Sequence, residues 1–101
     1  GITEEEAKAK GIDYKVVKLP MQFSGRFVAE NEHGEGICKL IVGAKYHEVL
    51  GCHMLGNPCS EIINSMCIAI EQEMTLEQIR EVVFPHPTVS EIIKETAFSL
   101  K

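Results

Sequence analysis

The sequence predicts an α+β domain, in which an antiparallel sheet of about four strands carries helices packed on one face. The β-rich segments are confined to the first 55 residues, and helical apolar spacing follows them. The connections between those segments are too short for the crossovers that parallel strands need. At 101 residues and 45% hydrophobic content, the chain is long enough for one domain with one core.

The chain opens with a short helix and a strand. A capping box that begins at Thr3 predicts a helix over about residues 3–10, and Gly11 suits the left-handed position that ends it. Residues 14–19 are rich in aromatic and β-branched side chains, which favours a first strand that stops at Pro20.

Three further segments complete the predicted sheet. Residues 26–30 place Phe27 and Ala29 on one side of an extended chain, which predicts a second strand. A turn-rich stretch then leads into residues 37–43, so these two segments are expected to form a hairpin. A fourth strand is predicted over residues 49–55. Both faces of the last two strands are apolar, so we expect the face without helices to contact another surface.

Three helices follow the sheet. Asn57 as N-cap and Pro58 at the first helical position open the longest helix, over residues 57–73. Its apolar stripe is wider than one sheet contact needs, which fits either a buried core helix or a helix shared with a partner. Thr75 caps a short helix that reaches about residue 83, and the last helix is predicted over residues 89–98.

One stretch near the carboxyl end has the residues of an acid–base site. His86 lies between Pro85 and Pro87, which stiffen the turn. Thr88 as N-cap and Glu91 three residues later form a capping box. A carboxylate near a histidine can fix its tautomer and stabilise its charged form, as general acid–base catalysis requires. In the alternative interpretation, Glu91 only caps the helix and His86 is a surface turn residue.

Charge and cysteine content narrow the class of protein. A net charge of −5 with scattered acids argues against nucleic-acid and anionic-membrane partners, and no apolar run is long enough for a membrane span.

The four cysteines have no C-x-x-C spacing, and we expect reduced thiols that pack as small hydrophobes in a cytoplasmic protein. We expect no metal; a zinc site from Cys52, His53 and Cys59 is poorly spaced, because neighbouring strand residues point to opposite faces.

No nucleotide-binding fingerprint is encoded in the chain. The glycines at positions 34 and 36 lack the third glycine of the G-x-G-x-x-G pattern and lie in the predicted hairpin. We therefore expect no cofactor to bind this chain directly.

The His-Pro-Thr-x-Ser-Glu stretch at residues 86–91 closely resembles the C-terminal signature of the flavin-dependent pyridine nucleotide–disulfide oxidoreductases. The opening helix, the strand ending in Gly56 and the Asn-Pro-Cys-Ser-Glu stretch at residues 57–61 match the same family in order. The pattern is similar above all to dihydrolipoamide dehydrogenase, although Phe84-Pro85 stands where those dehydrogenases usually have a His-Ala pair.

The resemblance implies that residues 1–101 are a single dimerisation domain, excised from the C-terminal end of a larger flavoenzyme. His86 would be the catalytic base for dithiol oxidation in that parent, with FAD and NAD as its cofactors, and Glu91 would orient it. The His86–Pro87 region would approach the FAD and the redox disulfide of the second copy in a homodimer. The resemblance also favours a cis peptide bond between His86 and Pro87.

The resemblance leaves other assignments open. The parent could be a glutathione- or mercuric-reductase-like enzyme, or the chain could act only in self-association. The implied partners are a second copy, the missing FAD and NAD domains and a 2-oxo acid dehydrogenase complex. The implied location is the cytoplasm, or the mitochondrial matrix in a eukaryote. We expect the isolated chain to be inactive, because His86 has no redox centre to act on within it.

Overall fold

A computed structural model describes residues 1–100, and within them the chain forms three strands and five α-helices. In chain order these elements are α1 (Glu4–Ala9), β1 (Tyr14–Pro20), α2 (Gly25–Glu30), β2 (Ile37–Gly43), β3 (Val49–Leu55), α3 (Cys59–Glu71), α4 (Leu76–Glu81) and α5 (Glu91–Phe98). A single 3₁₀ turn, Met21–Phe23, joins β1 to α2.

The sheet is antiparallel, as predicted, and has the strand order β1-β2-β3. Val17 lies opposite Leu40, which in turn lies opposite Cys52, so these three side chains share one face. The α+β class is therefore confirmed, but the predicted fourth strand is absent from residues 1–100.

The segment predicted as the second strand is the helix α2, so the predicted hairpin is also wrong. Ser24 is the N-cap of α2, and its hydroxyl accepts the Phe27 N–H at 3.3 Å. β1 pairs directly with β2 along its whole length, which leaves no place between them for another strand. A segment of five residues is too short to distinguish the period of a strand from that of a helix, and here the N-cap favours the helix.

The main core lies on the face formed by Val17, Leu40 and Cys52. Helix α3 packs against β3 on this side, and α5 packs against β1 and β2. Fully buried side chains of α5, including Ile92 and Ile93, fill the space over the sheet. This packing fixes the start of α5, and with it the position of Glu91.

The prediction that all helices lie on one face is wrong, because α1 covers part of the other face. Lys39 on that face forms an ion pair with Glu4, and Nε2 of His53 contacts the Ile2 carbonyl oxygen at 2.9 Å. Ala7 and Ile41 are fully buried but are separate from the main core cluster. The apolar outer face of β2 is thus covered in part by the chain's own first helix.

Most predicted helix ends are observed. Thr3 accepts the Glu6 N–H at 3.1 Å, Gly11 has a φ of +69°, and Thr75 forms a complete capping box with Gln78. The long helix begins at Cys59 rather than at residue 57, because Pro58 has a ψ of 56°, outside the helical region. Within residues 1–100, no helix has the length and apolar character that crossing a bilayer requires.

A candidate active site at the His86 turn

His86 lies in the irregular segment between α4 and α5, and the peptide bond that joins it to Pro87 is cis, as expected. Its side chain is 80% exposed. Nδ1 of the ring contacts both carboxylate oxygens of Glu91, Oε1 at 2.9 Å and Oε2 at 3.0 Å. The structure thus brings together the two residues that the sequence singled out, and presents the ring on the surface.

Glu91, the first residue of α5, is held by the backbone as well as by His86. Its Oε1 accepts the Thr88 N–H at 2.8 Å. This hydrogen bond and the contact with His86 lower the pKa of the Glu91 carboxyl below its ordinary value of 4.5. The prediction of Thr88 as N-cap is wrong, because α5 begins at Glu91 rather than at residue 89 and Ser90 precedes it. The Thr88 hydroxyl instead donates to the Pro85 carbonyl oxygen at 2.8 Å.

The contact between His86 and Glu91 determines which ring nitrogen carries the proton. An ionised carboxylate can only accept hydrogen bonds, so Nδ1 must be the donor. Neutral His86 therefore presents an unprotonated Nε2, and within residues 1–100 no group is hydrogen-bonded to that atom. An exposed Nε2, backed by a carboxylate at Nδ1, can accept a proton from a neighbouring molecule and later return it.

The lowered pKa of Glu91 gives a pH-dependent contribution to stability. A depressed folded-state pKa stabilises the fold above the ordinary carboxyl value, and the stabilisation is lost as pH falls through the folded value. For Glu91→Gln we expect a loss of stability that is constant above pH 4.5 and shrinks at more acid pH. Urea denaturation of both proteins across this range measures the difference. If the difference in unfolding free energy between the two proteins stayed the same from about pH 7 to about pH 3, the charge of Glu91 would not be what stabilises the fold.

Side chains from α2, distant in sequence, also hold the His86 turn. Nη1 of Arg26 donates to the Pro87 carbonyl oxygen at 3.2 Å, and the Ser24 hydroxyl donates to the Thr88 carbonyl oxygen at 3.2 Å. The sequence analysis missed both residues. The available signal was Ser24 three residues before Phe27, a spacing that suits an N-cap and would have predicted the helix.

The cysteines and histidines form no metal centre in the part of the chain that the structure describes. Cys52 lies on the core face, whereas His53 lies on the other face and contacts Ile2. Three of the four cysteines are buried free thiols, and burial raises the pKa of the Cys59 thiol. Cys67 is a correction to the prediction of packed thiols, because it is exposed on α3.

The glycines before β2 do not form a phosphate cradle. A Cβ at Gly36 would lie 2.2 Å from the Leu55 carbonyl oxygen, so this glycine permits close approach of the chain to β3. Gly36 therefore serves the approach of the chain to β3, and the surroundings of the two glycines at positions 34 and 36 do not fit the phosphates of a dinucleotide.

Comparison with known sequences supports the resemblance. The model of the family described as the pyridine nucleotide-disulphide oxidoreductase dimerisation domain matches residues 1–97. The chain is 40% identical to dihydrolipoyl dehydrogenase 3 of Pseudomonas putida over 99% of its own length, and 35% identical to the mitochondrial dihydrolipoyl dehydrogenase of Pisum sativum over 98%. It spans 21% and 20% of those relatives, about a fifth of each.

The fold is also found in solved flavoprotein structures. The HOCl-induced flavoprotein disulfide reductase RclA from Escherichia coli matches with a TM-score of 0.91 and 31% identity. The match covers all of this chain and 23% of the reductase.

Proposed function

The chain belongs to the pyridine nucleotide-disulphide oxidoreductase family as its dimerisation domain, and we propose that it supplies the acid–base pair His86–Glu91 to a flavoenzyme that oxidises a dithiol. The proposed enzyme is of the dihydrolipoamide dehydrogenase type, which the identity to several dihydrolipoyl dehydrogenases supports. In this proposal residues 1–101 are one domain of a larger protein, and His86 acts at the redox disulfide of the partner subunit.

One observation carries the proposal. His86 is highly exposed, with Nδ1 bonded to the Glu91 carboxylate and no hydrogen bond to Nε2 from residues 1–100. General acid–base catalysis needs a histidine with one ring nitrogen held in place and the other within reach of a second molecule. The contacts of His86 have this arrangement.

The chemistry of the pair follows from the tautomer. Nε2 takes the proton of a substrate thiol, so the S–H bond breaks and a thiolate forms. The thiolate sulfur attacks the partner's redox disulfide, the S–S bond breaks, and one cysteine leaves as a thiolate. His86 then passes its proton to the departing cysteine thiolate and takes the proton of the second substrate thiol. That second thiolate attacks the substrate sulfur of the mixed disulfide, the S–S bond breaks and the other cysteine leaves as a thiolate, so the substrate becomes a disulfide and the cysteine pair is reduced. Glu91 stabilises the imidazolium while His86 holds the proton.

Two cofactors complete the proposed enzyme. FAD and NAD, bound by domains outside this chain, would supply the acceptors for the electron pair of the reduced cysteines. The 2-oxo acid dehydrogenase complex is the proposed assembly for such an enzyme, in the cytoplasm or the mitochondrial matrix.

A disulfide reductase of the glutathione- or mercuric-reductase type is the second candidate. The structural similarity to a flavoprotein disulfide reductase, at 31% sequence identity, supports this second candidate. Electrons would then flow from NADPH to a disulfide substrate, and His86 would donate its proton rather than accept one. Parallel assays with dihydrolipoamide plus NAD and with glutathione disulfide plus NADPH distinguish the two.

The proposal is tested by complementation between two inactive subunits. One parent enzyme carries His86→Gln, and the other retains His86 but lacks its redox cysteine pair. Random pairing makes half of the dimers hybrids, each with one intact site, so the mixture should regain roughly a quarter of wild-type activity.

The outcomes separate catalysis from association alone. If hybrid dimers form, as shown by co-purification of two differently tagged subunits, but stay inactive, the chain is only an association module. A His86→Gln parent that is active by itself would also contradict the proposed role.

A further inference from the structure

We infer that Ser24 and Arg26 are positioning residues for His86, a role that rests on the proposed function of the His86–Glu91 pair. The two side chains donate to consecutive carbonyl oxygens, those of Thr88 and Pro87, directly after the histidine. They come from the start of α2, more than 60 residues earlier in the sequence. The start of α2 therefore holds the backbone that carries the ring.

Thr88 connects these contacts to the acid–base pair. Its carbonyl oxygen is held by Ser24, while its N–H donates to the same Glu91 oxygen that contacts His86 at 2.9 Å. Displacement of the Thr88 backbone would therefore move the carboxylate that fixes the tautomer of His86. The hydrogen bonds form a continuous series from α2 to the ring.

The turn depends on these bonds because packing cannot hold an exposed ring. His86 has only a fifth of its side chain covered, and the segment around it is neither helix nor strand. Ser24 is only 3% exposed, and its hydroxyl both accepts from the Phe27 N–H and donates to Thr88. A buried hydroxyl that both donates and accepts a hydrogen bond is held in one orientation, so it fixes the backbone to which it is bonded.

Arg26 offers the cleaner test, because its side chain is 46% exposed and its removal spares the core. Arg26→Met, made in the flavoenzyme that contains this chain, should lower kcat about tenfold and leave KM nearly unchanged, because misplacing a catalytic group slows the chemical step. Arg26 also pairs with Glu30. Glu30→Gln is the matched control, and it should change kcat by less than about twofold, since exposed ion pairs contribute little.

The role of Ser24 is tested by two substitutions, one that removes the hydroxyl and one that keeps it. Ser24→Ala removes the donor to Thr88 and should also lower kcat, whereas Ser24→Thr keeps the hydroxyl and should recover most of the loss. Thermal unfolding of each variant separates lost stability from lost turnover in the folded enzyme. Equal kcat values for Ser24→Ala and Ser24→Thr would contradict the inference.

A double variant distinguishes failure of this inference from failure of the proposed function. With His86→Gln already present, Arg26→Met should cause no further loss, because the group it positions is gone. If Arg26→Met lowers kcat equally in both backgrounds, or not at all while His86→Gln is severe, the positioning role is wrong and the proposed function stands. A nearly normal His86→Gln enzyme would overturn both.

Discussion

Replacing His86 by Gln in the flavoenzyme that contains this chain is expected to lower kcat for dithiol oxidation by about 10²- to 10⁴-fold, the usual contribution of a general acid–base residue. Gln has a similar size and can still hydrogen-bond Glu91, but it cannot take up the thiol proton at neutral pH. The flavin should remain bound, because the domains that are proposed to bind it lie outside this chain. Steady-state turnover and the visible flavin absorbance measure the two effects separately.

His33 provides the matched control for this experiment. Its side chain is 92% exposed and is close to the Glu32 carboxylate, so it resembles His86 in exposure and in having a neighbouring acid. It lies in the loop between α2 and β2, after the end of α2, whereas the His86 turn is held by residues at the start of α2, and His33→Gln should leave kcat unchanged. Equal losses in the two variants, or a nearly normal His86→Gln enzyme, would exclude His86 from the mechanism.

The strands were predictable because their signals are local. Residues 14–20 and 37–43 are rich in β-branched and aromatic side chains, residues 49–55 are mostly apolar, and a proline or glycine ends or directly follows each segment. The structure of residues 26–30 could not be predicted in this way, because Phe27 and Val28 favour a strand while Ser24 caps a helix. Tertiary pairing decides between them: β1 and β2 are already neighbours, and Val28 is 52% exposed on α2.

The prediction that all helices lie on one face of the sheet failed for a related reason. The apolar residues on both faces of the last two predicted strands indicated that something covers the outer face, where Ile41 and Lys39 of β2 lie, but the sequence does not say what. The structure places α1 over them through the Lys39–Glu4 ion pair. An amphipathic helix of six residues can pack on either face, so only the fold as a whole decides its position.

The candidate site was predicted as far as its contacts are local. His86 and Glu91 are five residues apart, and a turn followed by a helix start brings such residues together. Ser24 and Arg26 reach the same turn from a helix that the sequence analysis assigned as a strand, so their contacts could not be inferred. Whether the pair performs catalysis is a matter for the experiments on His86.

Phe27→Ala is expected to cost about 3–5 kcal/mol of unfolding free energy, the usual range for a buried phenylalanine. Phe27 is 1% exposed, and its ring lies against the backbone at Gly34 and Gly56, so it joins α2 to the loops at the ends of β2 and β3. Its N–H also donates to Ser24. Loosening α2 should therefore weaken the attachment of the His86 turn as well as the core.

Phe23→Ala is the control for this prediction, because Phe23 is the same residue type four positions earlier and is 60% exposed. Its removal should change the unfolding free energy by less than about 0.5 kcal/mol. Urea denaturation at one fixed protein concentration measures both values, since association would otherwise shift the midpoints. Comparable losses of unfolding free energy in the two variants would mean that Phe27 does not anchor α2. Another residue would then have to hold α2 in the position from which it contacts the His86 turn.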